Sequence, residues 1–220
     1  SGLAYFMIWF WMRGPRNLSN IWTRNFAIIV AFQTGNAALF SLAIAIAPVT
    51  VVLIGVATVP IFAAILSRFM LGEALSMRTL VTATLVFLGL FICVLGSEDG
   101  QVKLDLITLI GAGLGLGVAF SLAMNFTIIR KDKEVPFVLA IAVGAIAAAG
   151  LAACFMTTLA WPPLPQMAAI ALTGIFILPL SFVTLSYAAR FVPSSTVSLI
   201  MLLETVLGPL WVWWGIDEAP

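Results

Sequence analysis

From Phe26 to Ala47 the chain carries no charged side chain, and long apolar stretches of this kind recur along it. A helix rises about 1.5 Å per residue, so about 20 apolar residues cross the roughly 30 Å of a bilayer's hydrocarbon. Runs of suitable character cover residues 26–47, 50–71, 77–95, 106–129, 135–156, 167–191 and 196–216, with a shorter one at 2–12. That is about eight spans, the first reading as the tail of a longer helix. Strands of a membrane barrel would alternate over about 9–11 residues, and these runs do not. The expected fold class is all-α, a polytopic membrane protein.

Composition agrees. The chain is 63% hydrophobic and 9% charged, where soluble domains carry roughly 25% charged residues. Such a chain could not cover its surface in water. A net charge of +1, with no cluster of Lys and Arg, argues against nucleic acid as a partner. The absence of His excludes a Ser-His-Asp triad and a His-ligated metal, and no cofactor is expected. Cys93 and Cys154 lie in apolar runs and read as small buried hydrophobes. Ser1 to Met12 lacks the basic start and small-residue cleavage site of a signal peptide.

The links between runs test the count. Arg13, Arg16, Arg24, Arg68, Arg78, Arg130, Lys131, Lys133 and Arg190 all fall at alternate links, and Lys103 alone falls at the others. The positive-inside rule makes the first set cytoplasmic. Trp161, Trp211, Trp213 and Trp214 then lie near the outer interface, where aromatic belts form.

Two segments look alike. Pro48 pairs with Pro193, Glu73 with Glu218, Ser41 with Ser186 and Ala43 with Ala188, all at one offset of 145 residues. An odd number of spans separates the two prolines, so the copies enter the membrane from opposite sides. Inverted repeats of this kind characterise many secondary transporters, whose substrate sites lie near the midplane where the repeats meet. The expected division is a first transmembrane repeat over 1–97 and a second over 104–220.

At these residues the chain resembles the EamA family of the drug/metabolite transporter superfamily. The first copy runs from Pro48 through Pro60 to Leu71-Gly72-Glu73-Ala74-Leu75. The second runs from Pro193 through Leu203-Glu204 to Asp217-Glu218-Ala219-Pro220. The resemblance implies ten helices in a five-plus-five inverted bundle with both termini cytoplasmic. The first repeat here would then lack its first helix, and the second repeat its last. Thr205 stands where a Pro commonly follows the Glu, and Asp217 where Gly is usual. The resemblance also implies a multi-pass protein of the bacterial inner membrane. It would move a small amino-acid-like, or other polar or amphipathic, metabolite by alternating access, with a proton or other cation as the candidate coupling ion.

Glu204 is the outstanding polar position, near the centre of the last run among Leu202, Leu203, Val206 and Leu207. A carboxylate at mid-bilayer costs roughly 2.5–3.5 kcal/mol on insertion scales, so it faces a cavity or a partner, or is carried neutral. It is either a proton-coupling group or a structural one. Gln33 and Asn36 share a helix face three residues apart; Asn125 and Tyr187 lie inside other runs. Each is either interhelical glue or a cavity wall, and with Glu204 they form the candidate substrate site. Neutral, zwitterionic or cationic solutes fit this set better than di-acids, because no Lys or Arg is buried with it.

Pro60, Pro179 and Pro209 lie within runs and are expected to bend their helices. Gly111, Gly113, Gly115 and Gly117 alternate without a preceding strand or following Lys-Ser/Thr, so they read as packing positions rather than a nucleotide loop. Glu73 and Glu218 are either helix-start acids or gating charges. A membrane-embedded lipid-modifying enzyme needs clustered catalytic groups, which this chain lacks. A non-transporting structural or regulatory membrane protein is the other rival.

Overall fold

Every regular element among the described residues is helical. The computed structural model describes residues 1–13, 21–73, 106–155 and 163–193, plus isolated positions between 77 and 88 and between 196 and 207. Helix α1 is Gly2–Arg13 and α2 is Arg24–Ile46. Thr23 opens α2, its hydroxyl accepting from the Phe26 N–H at 3.3 Å, which satisfies one of the free first-turn donors. Pro48 disfavours helical geometry at the residue before it, and α2 ends there with Ala47 extended.

The run at 50–71 is two helices, α3 (Val49–Val56) and α4 (Val59–Leu71). The turn between them is held by Thr58 Oγ1 donating to the Gly55 carbonyl at 2.6 Å. Pro60 occupies the first turn of α4, where its missing N–H leaves nothing unpaired. Gly72 closes α4 at φ 70°, a left-handed conformation that Gly adopts without a Cβ penalty. The Gly72 and Glu73 N–H groups both turn back to the Ser67 carbonyl.

Helix α5 is Leu106–Lys131 and α6 is Phe137–Phe155. Arg130 and Lys131 occupy the last turn of α5, where positive charge favours the helix dipole. Asp132 then accepts the Glu134 N–H at 3.1 Å, an Asx-type turn, before Pro136. The run at 167–191 starts earlier, at Leu164, and is interrupted. Helix α7 (Leu164–Leu172) passes into a π-helical turn, Thr173–Ile177, and then α8 (Leu178–Ala188). Pro179 lies in the first turn of α8, and the wider turn before it accommodates the ring that would otherwise press on a preceding carbonyl.

Long α5 lies at the centre, against α2, α3 and α4; α6 packs on α2 and α1. Gly115 and Gly55 make the α3–α5 crossing close: a Cβ on Gly115 would lie 2.6 Å from the Val52 carbonyl oxygen and 3.1 Å from Gly55 Cα. A Cβ on Gly111 would collide with that of Ala47, and one on Gly117 would lie 3.2 Å from Leu39. Gly113 meets nothing within 4 Å. The four glycines are therefore not equivalent, since only one face of α5 is pressed against neighbours.

One apolar core gathers Tyr5, Trp9, Ile29, Ile128 and Ile141, and a second Val59, Ala63, Val118 and Phe126. Outside them, large apolar side chains stand bare, among them Leu106, Phe155, Phe176 and Leu180. Five segments are long and apolar enough to cross a membrane: Arg24–Ile46, Val51–Leu71, Leu106–Lys131, Phe137–Phe155 and Leu164–Ala188. An apolar exterior of this extent needs lipid around it.

Candidate functional site

Among the described residues, the polar contacts of Glu73, Arg130, Asp132 and Arg190 gather at one end of the bundle. Arg130, closing α5, donates from Nε to Glu73 Oε1 at 2.6 Å, just beyond the end of α4. Asn25 at the start of α2 donates to Asp132 Oδ2 at 2.8 Å. Arg190, following α8, donates from Nη2 to the Val135 carbonyl at 2.7 Å and lies 4.5 Å above the Phe137 ring. Trp9 and Met12 of α1 share a small cleft with Val135 and Arg190 at the same end. Helices distant in sequence thus agree with the loop-charge partition. Glu73 is half-buried in its ion pair with Arg130 rather than a simply solvated acid.

About 7–8 Å along α5 from Arg130, at 1.5 Å per residue, lies Asn125. It is fully buried and donates from Nδ2 to Gln33 Oε1 on α2 at 3.0 Å. Gln33 is itself buried, pressed against the Gly144 backbone of α6, where a Cβ would come within 2.7 Å of the Gln33 Cβ. Small residues make this possible: Gly144 lets α6 approach α2, and the Thr34 hydroxyl bonds both the Val30 and Gly144 carbonyls, at 2.8 and 3.2 Å.

The pair is incompletely satisfied. Asn125 Oδ1 is enclosed and has no hydrogen-bond partner among the described residues, as is Ser186 Oγ on α8. A buried acceptor left without a donor costs about 1–3 kcal/mol. Ser186 entered the sequence reading only as the repeat partner of Ser41; serines are common in membrane helices, and only its enclosure marks it.

Of the sequence candidates, the structure brings Gln33 and Asn125 together. Asn36 stays on α2, half-buried and one turn from Phe32. Phe32 meets Phe120 edge-on at 5.7 Å, and Phe120 meets Phe62 at 5.8 Å. Tyr187 is elsewhere: it is 46% exposed, stacks near Phe191 at 5.3 Å, and borders the small cleft at the charged end. Glu204 and Pro209 lie outside the described residues, as do Glu218, Cys93 and the tryptophans at 161 and 211–214. A larger apolar groove of about 400 Å³ runs between α8 and Val197 and Ile200.

No curated protein and no solved structure matches the chain. A family model does: that of the EamA-like transporter family matches residues 1–95. With its apolar helices this is an all-α, multi-pass membrane protein. The family read from the Pro48–Pro60 run and the Leu71-Gly72-Glu73 turn is therefore matched over residues 1–95, where the chain is similar to the EamA-like transporter family.

Proposed function

We propose that the protein is a secondary transporter of the bacterial inner membrane. It carries a small metabolite, amino-acid-like or otherwise polar or amphipathic, by alternating access between two inverted repeats, 1–97 and 104–220. The single observation behind this reading is the buried Gln33–Asn125 bond. It joins a helix of one repeat to a helix of the other and leaves an acceptor open within the apolar region. Secondary transporters hold their solutes near the midplane at such an interface. The match to a transporter family supports the same reading.

In this reading the charged end is cytoplasmic, and the Arg130–Glu73 pair and the Asn25–Asp132 bond hold that end closed. Opening it separates partly exposed groups, each pair worth about 0–1 kcal/mol, so the latch is easily reversed. Glu204 is the coupling carboxylate, taking a proton in one state and releasing it in the other. Gln33, Asn36 and Asn125 form the solute wall, and Tyr187 lies on the path at the cytoplasmic mouth.

The test is gradient-driven uptake of a metabolite panel into proteoliposomes holding the full-length protein. Uptake that depends on the pH gradient, is lost in Glu204→Gln and is weakened by Gln33→Ala and Asn125→Ala supports the reading. Full gradient-driven uptake by Glu204→Gln would sink the coupling role.

A further inference from the structure

We infer that Asn125 Oδ1 is the acceptor for an N–H donor of the transported solute, which makes Asn125 the residue that selects an amino group. The inference rests on the transporter reading above.

The side chain is fully buried, and its one bond is spent through Nδ2 on Gln33. The hydroxyls within about a turn that could fill Oδ1 are committed to backbone carbonyls: Ser121 to Gly117 at 2.8 Å and Thr127 to Ala123 at 2.7 Å. Across the interface, Thr34 is likewise committed to Val30 and Gly144. An amide serving only to glue α2 to α5 gains nothing from an enclosed, empty acceptor, because buried polar groups are ordinarily paired. The described helices hold no charged side chain at this depth that would bind an anion. What the position offers is oxygen, and oxygen calls for a donor.

A second unpartnered oxygen, a hydroxyl able to accept as well as donate, stands on α8. Ser186 is completely buried and its Oγ has no partner among the described residues. It lies one helical turn beyond Phe182, whose ring meets Phe126, the neighbour of Asn125, at 6.1 Å. The Phe126–Phe182 contact thus joins α5 beside Asn125 to α8 one turn from Ser186. Reaching Asn125 from this side requires α8 to move with its buried Val183 and Ser186; α7 buries none of its residues, and the π turn with Pro179 interrupts the helix between them. A solute amine enters when α8 swings away from Phe126, and meets Ser186 before Asn125 when it comes from the charged end.

The test uses full-length protein, with melting shifts in detergent and uptake in proteoliposomes. The probes are the standard α-amino acids, each beside its N,N,N-trimethyl analogue and its deaminated acid, together with neutral sugars. The expected result is that at least one amino acid binds and is carried, with both analogues at least about 10-fold weaker, the discrimination of a site left with an unpaired polar group. Asn125→Leu brings that ratio close to one. Ser186→Ala lowers the ratio while leaving the unliganded melting temperature unchanged or higher.

Carriage of a trimethyl analogue as well as its parent overturns the inference and leaves the transporter reading intact, as does carriage of sugars alone. Preference for the deaminated acid with indifference to N-methylation also overturns it, meaning that both amides are turned over and Asn125 presents a donor. A fall of about 3 °C or more in the unliganded Ser186→Ala protein assigns that hydroxyl a structural partner and removes it from the site. Carriage of none of the amino acids overturns the inference and leaves the transporter reading to the wider metabolite panel.

Discussion

The half of α5 from Leu106 to Gly117 and the half from Val118 to Lys131 meet their neighbours by different means. The first packs through missing side chains: Gly111 against Ala47 and Gly115 against Val52 and Gly55, backbone close to backbone. The second packs through side chains that include polar ones, with Asn125 bonded to Gln33 and Arg130 to Glu73. Glycine crossings have one good distance and tolerate no change. Polar pairs and a half-exposed ion pair can break and reform at modest cost, so the second half is where two conformations can be nearly equal in energy. The proposed alternating-access cycle calls for both, a fixed pivot and a reversible contact.

The largest test of this contrast is Gly115→Val, which forces α3 and α5 apart where a Cβ alone would lie 2.6 Å from the Val52 carbonyl oxygen. It should cost about 3 kcal/mol or more, the upper range of overpacking, read as loss of monodisperse folded protein in detergent. Wild-type yield and melting from this variant would deny the pivot. Next comes the double variant Gln33→Leu/Asn125→Leu, which removes a bond and an unfilled acceptor together. Stability should change by no more than about 1–2 kcal/mol while uptake falls at least tenfold. A large loss of stability with uptake retained would make the pair glue.

Smaller is Arg130→Gln, which breaks the tie to Glu73. Both groups are partly exposed, so stability should shift by less than about 1 kcal/mol. The sharper readout is labelling of a cysteine placed at Gln33 by a reagent applied from the charged side, expected to quicken. Unchanged labelling would mean that the ion pair does not close that end. Smallest is Gly113→Ala, where nothing stands within 4 Å. It should leave stability unchanged or raise it by up to about 1 kcal/mol through helix propensity, read from the melting temperature. Equal damage from Gly113→Ala and Gly115→Ala would erase the distinction between the two faces of α5.

Much of the fold was legible beforehand. The runs at 26–47, 106–129 and 135–156 match α2, α5 and α6 to within a few residues at each end, because length and apolarity are what a bilayer demands. The gathering of Glu73, Arg130, Asp132 and Arg190 at one end was legible too, since charge cannot be left in hydrocarbon. Less visible was the break at Ala57–Thr58: Pro60 promised a bend, but a separate α3 and α4 require Thr58 to bond the Gly55 carbonyl as well. The π turn at Thr173–Ile177 was not foreseen. Apolar residues there satisfy either hydrogen-bond register, and no composition signal separates them.

The site was legible in its residue types and not in its groupings. Gln33, Asn36, Asn125 and Tyr187 were equally plausible, being polar residues in apolar runs. Only the packing of α2 on α5 selects Gln33 with Asn125, whereas Tyr187 near the end of α8 goes to the charged end. Ser186 gave no cue by type, because a membrane-helix serine commonly bonds a carbonyl one turn back; its lack of that bond is a fact of coordinates.

The amino-acid order alone determined that this chain lives in lipid, where its long apolar helices fall, and which links carry charge. Those follow from the cost of moving each residue from water to hydrocarbon, which is a sum over local composition. Tertiary structure decided which glycines are crossings, which two amides meet, and which oxygen is left waiting. Those depend on the rotation and spacing of helices distant in the chain, and no local sum contains them.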